Sequence, residues 1–156
     1  MWVRSPTRIV VGEVRGGYVV HLLDAVTNGI AGAMCTLHTP TARGVFERVL
    51  INAQKATPTP SAELVMRSLS ALNLIVHVER NQANDRYVAE VLELGRVGDN
   101  GDPDATSIFT PGPERRAIGV PGSLSPDLAE RLAAVGFSID WLRPENSNWF
   151  GGGGSR

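Results

Sequence analysis

Between residues 8 and 37 an apolar β-branched run is followed by a glycine pair, a stretch of helical periodicity and a second apolar run. That order restricts the fold more than any other feature of the chain. Ile9, Val10 and Val11 are consecutive, so Arg8 to Val14 is predicted to be a strand covered on both faces. Gly16-Gly17 breaks it. From Tyr18, apolar Val19, Leu22, Leu23 and Val26 recur at helical spacing, and Asn28-Gly29 supplies a C-terminal stop. Ala31 to Leu37 is predicted to be the second strand. Two sequential strands joined through a helix run parallel, which makes the predicted class α/β.

The alternation continues. Pro40 to about Ala56 is predicted to be a helix capped by Thr39, with Val45, Val49 and Leu50 on one face, and the TPTP of residues 57–60 ends it. Ser61 caps a further helix with Leu64, Val65, Leu69 and Leu72 inward. Asn73 to Glu79 and Arg86 to Leu94, separated by the turn-rich NQAND, read as a hairpin at the edge of the parallel sheet. Residues 1–95 are expected to form one α/β unit. Residues 96–124 carry too many glycines and prolines for a regular element and are expected to be an irregular linker. In 125–150, Ser125-Pro126 opens one short helix with Leu128, Leu132 and Val135 on a face and Gly136 as its stop. Residues 151–156, GGGGSR, are expected to be a flexible end.

Composition removes several function classes. At 156 residues the chain can bury a real core. A net charge of −1 gives no general attraction to nucleic acid or to an anionic membrane, so neither is expected as a partner. The single cysteine, Cys35, excludes an intramolecular disulfide and a multi-cysteine zinc site. No apolar span of membrane length exists and MWVRSPTR lacks the apolar core of a signal peptide, so a cytoplasmic chain without membrane insertion is expected. The 15 basic residues include one lysine, Lys55, with no glycine-rich loop before it.

In an open parallel sheet, ligands bind beyond the carboxyl ends of the strands. Glu13 stands at that end of the first strand and His38 just past the second. If the strands are neighbours, Glu13, Arg15 and His38 share one rim. A carboxylate there can orient or deprotonate water, and an imidazole or guanidinium beside it can contact a phosphate. The alternative is a surface ion pair between Glu13 and Arg15, with His38 a helix-entry residue. His21 and His77 read as packed or surface residues. The spacings of the three histidines match no helical zinc motif. Cys35 reads as a small buried hydrophobe. Arg43, Glu47 and Arg48 read as a solvated helix face, although such arginines can also meet a neighbouring subunit.

RIVVGEVRGG followed by HLLDAVTNGIAGAMCTLHTPTARGVFERV closely resembles the Walker B and histidine-box region of the type II/IV secretion system ATPases, in particular the CpaF-like branch that powers tight-adherence pili. NLIVHVER and YVAEVLEL resemble the strands that follow in that family, so the resemblance spans about residues 4 to 95. It implies a partial RecA-like fold, a ring-shaped hexamer, and ATP hydrolysis coupled to pilus assembly or secretion at an inner-membrane platform. It assigns Glu13 the catalytic carboxylate that polarises the attacking water and helps hold Mg²⁺ through water, and His38 the coupling of the γ-phosphate to movement. Gly12, Arg15 and Arg43 become candidates for the nucleotide or the subunit interface. Three departures accompany the match. No GxxxxGK(S/T) occurs in the chain, Ile30 stands where a histidine box usually has His, and Asn73 stands where relatives commonly have Asp. The chain is therefore expected to be the C-terminal half of a motor that binds ATP and Mg²⁺ only when a Walker A segment is supplied. It is either a truncated product or a separate polypeptide completed by a Walker A partner. A catalytically silent subunit or scaffold on a complete motor is the other expectation.

Overall fold

The computed structural model describes residues 8–30, 32–99, 101–112 and 116–146. Two compact units divide the chain, Met1–Asn73 with Leu94–Asp104, and Leu74–Glu93 with Ala105–Arg156.

The first unit begins with the predicted strand–helix–strand. Strand β1 (Arg8–Val11) and strand β2 (Gly32–Cys35) pair in parallel, with Arg8 opposite Gly32 and Val11 opposite Cys35. Helix α1 (Tyr18–Thr27) connects them. It ends as expected: Asn28 is its C-cap, and Gly29 takes φ +95°, a left-handed conformation that suits glycine. Val19, Leu22 and Leu23 are its buried side. Helices α2 (Gly44–Ala53) and α3 (Ala62–Leu69) pack on α1 and on each other, closing a core of Phe46, Val49, Ala53, Val65, Met66 and Leu69.

Several predicted details are corrected. The strands are not covered on both faces, since Val10 is 75% exposed and its register partner Met34 is 67% exposed. Helix α2 starts at Gly44 instead of Pro40, and its N-cap is Arg43, without a side-chain capping bond, and not Thr39; ahead of the helix the Gly44 amide donates to Thr41 Oγ1 at 3.1 Å. Thr39 instead donates its hydroxyl to the Thr41 carbonyl at 2.8 Å, holding residues 39–41 in a turn ahead of the helix. The inward side of α2 is Phe46, Val49, Asn52 and Ala53, which leaves Val45 and Leu50 only half-buried. In α3 the Ser61 cap is as expected, accepting from the Leu64 amide at 3.2 Å. Leu64 itself, however, is exposed and Met66 takes the inward place.

The hairpin NLIVHVER…YVAEVLEL is present as β3 (Leu74–Arg80) antiparallel to β4 (Arg86–Val97). The Asn81 side chain accepts from the Asp85 amide at 2.8 Å, and Asn84 carries φ 67°, as the turn requires. The pair is not an edge of the parallel sheet. It belongs to a separate four-stranded sheet of order β3-β4-β5-β6, completed by β5 (Pro103–Pro111) and β6 (Ala117–Gly119). The stretch 96–124, expected to be an irregular linker, therefore holds two strands, and the chain beyond 95 is not an irregular tail. Both prolines of β5 sit at its ends, where the missing amide costs no interior ladder bond. Helix α4 (Pro126–Ala133) starts at the predicted Ser125 cap, and Gly136 with φ +89° follows it. Its buried residue is Leu128, while Val135, assigned to the inner face, is exposed. A 3₁₀ turn, Ile139–Leu142, buries Leu142 beside β6. The flexible end predicted at 151–156, and the Met1–Thr7 segment, lie outside the described residues. The class is mixed α/β, as the sequence predicts, with one parallel and one antiparallel sheet.

Candidate functional site

Parallel pairing of β1 and β2 carries their carboxyl ends to the same edge, and the pairing continues past the strands. The Val14 amide donates to the Thr36 carbonyl at 3.1 Å, and the Thr36 hydroxyl donates to the Gly12 carbonyl. These two bonds hold residues 12–14 extended alongside residue 36. Val14 is buried, so the residues on either side of it, Glu13 and Arg15, are turned outward.

The edge gathers the three residues that sequence placed there. Arg15 Nη2 donates to Glu13 Oε2 at 2.7 Å, and His38 Nε2 lies 3.7 Å from the other oxygen, Oε1. Glu13 is the most enclosed of the three, with 31% of its side chain exposed, whereas Arg15 and His38 reach into solvent. The charge-assisted bond from Arg15 is the main reason the Glu13 carboxyl is held below its ordinary pKa, with the charges of Arg15 and His38 adding to it and partial burial opposing. The same bond raises the Arg15 guanidinium. Glu13 is thus an ionised carboxylate at neutral pH with one oxygen committed to a guanidinium and the other facing an imidazole. Such an arrangement can orient a water and can offer a guanidinium and an imidazole to an anion.

Gly12 lies one residue before Glu13, its carbonyl fixed by Thr36, and no atom approaches within 4 Å of where a Cβ would stand. Arg43 lies further along the chain, exposed at the N-cap of α2. Cys35 is half-buried, and burial pushes its thiol pKa up, as the inert reading requires. His77 is far less exposed than a surface histidine and lies 3.8 Å from Glu79, which accepts a hydrogen bond from the Tyr87 hydroxyl at 2.8 Å. Among the described residues no group of three or more His, Cys, Asp or Glu is arranged to hold a metal ion. The edge fits Mg²⁺ only as a carboxylate reaching it through water. Thr36 was missed by sequence reasoning. Its signal is a lone hydroxyl inside the apolar run GAMCTL.

The mixed α/β fold matches part of a solved secretion-system ATPase. One solved structure to which it is similar is the VirB11 ATPase from the Brucella suis type IV secretion system, crystallised in complex with sulphate. It aligns with a TM-score of 0.52 and 25% identity over 56% of this chain and 28% of that one. Conjugal transfer protein TrbB of Rhizobium radiobacter is 36% identical over 90 residues, 57% of this chain and 26% of its own length. TrbB of Sinorhizobium fredii is 34% identical over 91 residues, 58% of this chain and 27% of its own. No family model matches the chain. These likenesses relate it to the type IV secretion ATPases, and it spans about a quarter of the length of these relatives.

Proposed function

We propose that the chain is the C-terminal portion of a conjugal-transfer or type IV secretion ATPase, contributing the edge that handles water and the terminal phosphate. The observation that carries this is the convergence of Glu13, Arg15 and His38 at the carboxyl ends of two parallel strands, in a chain similar to TrbB and VirB11. In this reading the cofactors are ATP, which supplies the bond to be broken, and Mg²⁺, which neutralises its phosphates. Glu13 orients the attacking water and meets the metal's water shell. His38 contacts the γ-phosphate and reports its loss. Arg15 is released from Glu13 toward phosphate, and Gly12 leaves room for the nucleotide. Arg43 is a subunit-interface residue of a hexameric ring. The ring works at the cytoplasmic face of the inner membrane with the export platform. The finer assignment to the CpaF-like pilus branch rests on the HLLDAVTNGIAGAMCTLHTPTARGVFERV stretch.

A phosphate cradle must come from elsewhere, because the chain contains no GxxxxGK(S/T). Fluorescent ATP with Mg²⁺, titrated against the chain alone and against the chain mixed with the Walker A half of a TrbB relative, tests the reading. Saturable binding is expected only on mixing. A second reading, a catalytically silent subunit docked on a complete motor, is favoured by Ile30 in the place of a histidine-box His, and binding by neither sample would select it.

A further inference from the structure

Away from that edge, the first unit has a groove of about 560 Å³ between the first turn of α1, the 55–60 loop and α3. Its walls are apolar, formed by Val20, Ala56, Pro58, Pro60 and Leu64, and its polar groups include the Lys55 ammonium and the His21 imidazole. Among the described residues no carboxylate lines it. Two features show how the sequence builds it. Gly16 takes φ +55°, and Gly17 approaches so closely that a Cβ there would stand 2.8 Å from Ala56 Cα and 2.9 Å from Ala56 N. The glycine pair after the Glu13-Val14-Arg15 segment is therefore the floor onto which the 55–56 segment is pressed, and the stem of Lys55 lies over Gly16.

We propose that this groove is a docking site for an acidic, apolar peptide segment of a partner protein. The volume falls in the range of ligand sites, about 300–1,000 Å³. Its charge selects the occupant: the Lys55 ammonium is the charged group among the described lining residues, so the groove favours an anionic residue, which a lysine on its flexible stem meets as an adaptable point charge. Its rim selects a chain segment over a small molecule. Tyr18 is 75% and Leu64 55% exposed at the mouth, large apolar surfaces that a small anion inside would leave wet and that a peptide crossing the groove covers. Because Gly17 is both the floor of the groove and close in sequence to Arg15, an occupant would bear on the turn that sets the Glu13–Arg15 pair. The proposal does not depend on ATP hydrolysis at that pair.

The test is fluorescence polarisation with a fluorescein-labelled peptide alternating aspartate and leucine, against the full chain at low salt. Saturable binding is expected. Lys55→Glu and Leu64→Asp, both at exposed positions, should each weaken it by about tenfold or more, while Arg48→Glu on the exposed side of α2 leaves it unchanged. A peptide alternating lysine and leucine should not compete. Absence of saturation, equal binding by K55E and L64D, or equal competition by the basic peptide would overturn the proposal. So would full occupancy by benzoate with no gain from a peptide, which would make the groove a small-carboxylate site. Circular dichroism of each variant separates lost binding from lost folding.

Discussion

Three glycines of the strand–helix–strand segment should respond to alanine in three different ways, because the structure gives each a different reason to be glycine. At Gly17 the backbone φ is −60°, which alanine adopts without strain, so the only obstacle is space. A Cβ would meet Ala56 Cα at 2.8 Å, Ala56 N at 2.9 Å and Ala56 Cβ at 3.1 Å. Two of these are backbone atoms of the 55–60 loop, which cannot turn aside as a side-chain tip can. Overpacking of this kind costs about 1–3 kcal/mol. Removing glycine's freedom from the unfolded chain returns about 0.4–1 kcal/mol. The net expectation for Gly17→Ala is a loss of about 1–2 kcal/mol, a drop of about 0.5–1 M in urea midpoint at a slope of about 2 kcal/mol per M. Gly12 has no atom within 4 Å of the Cβ position and no left-handed φ, so Gly12→Ala should be neutral or slightly stabilising. Gly29 also has open space, but its φ of +95° makes alanine strained, at about 1–2 kcal/mol, and asparagine should recover part of that. The assay is urea unfolding followed in the helical far-UV band, with the slope required to stay constant. If Gly17→Ala matched Gly12→Ala, the close approach of the loop to the glycine turn, and the groove built on it, would be refuted.

Further outcomes follow from the charged and buried groups. Arg15→Gln should raise the pKa of Glu13 toward its ordinary value, read by carboxyl ¹³C NMR; an unchanged titration would mean the 2.7 Å bond does not persist in solution. The sign is that of a depressed carboxylate. The stabilisation from pairing is present above the ordinary carboxyl pKa and is lost as pH falls through the lowered one, so the variant should lose its stability difference from wild type in acid. Cys35 should react with a disulfide reagent more slowly in the folded chain than in urea, since burial raises its pKa; equal rates would place it at the surface. Buried Glu93 accepts hydrogen bonds from the Ser125 amide at 2.9 Å and from the Ser125 hydroxyl, anchoring the start of α4. Glu93→Ala should destabilise the second unit by about 1–3 kcal/mol in thermal unfolding, and Ser125→Ala in that background should still cost about 0.5–2 kcal/mol, because the Ser125 hydroxyl also accepts from the Leu128 amide at 3.2 Å as the cap of α4.

The first 95 residues were largely legible because periodicity and punctuation agree there. Val19, Leu22 and Leu23 with Asn28-Gly29 define α1, and Ser61 defines the start of α3. The charged edge was legible for the same reason: parallel order sends Glu13 and His38 to one end, and the observed pairing of Val11 with Cys35 does so. What failed did so for physical reasons. A β-branched run does not tell whether both faces are covered, and Val10 and Met34 are open on one side. Thr39 is a competent cap by residue type, but its hydroxyl closes a turn on the Thr41 carbonyl and the helix starts only at Gly44. Beyond Gly95 the prolines and glycines suggested an irregular linker, yet Pro103 and Pro111 bound a strand instead of interrupting it. The glycines of GDNG belong to a hairpin loop, where Gly98 donates to Asp102 at 2.9 Å and Gly101 takes φ +85°. The alternation of ATSIFT was the available signal. The groove at Lys55 was not legible at all, since it depends on a glycine being pressed against a loop distant in sequence.

The central claim is that the Glu13 carboxylate serves hydrolysis. The measurement that bears on it most directly is ATP turnover by the chain joined in frame to the Walker A half of a TrbB relative, compared with the same protein carrying Glu13→Gln. The account predicts that the glutamine variant still binds ATP with Mg²⁺ but turns it over about 10²-fold more slowly or worse. Turnover near that of the parent would contradict it, and would leave Glu13 and Arg15 as a surface ion pair.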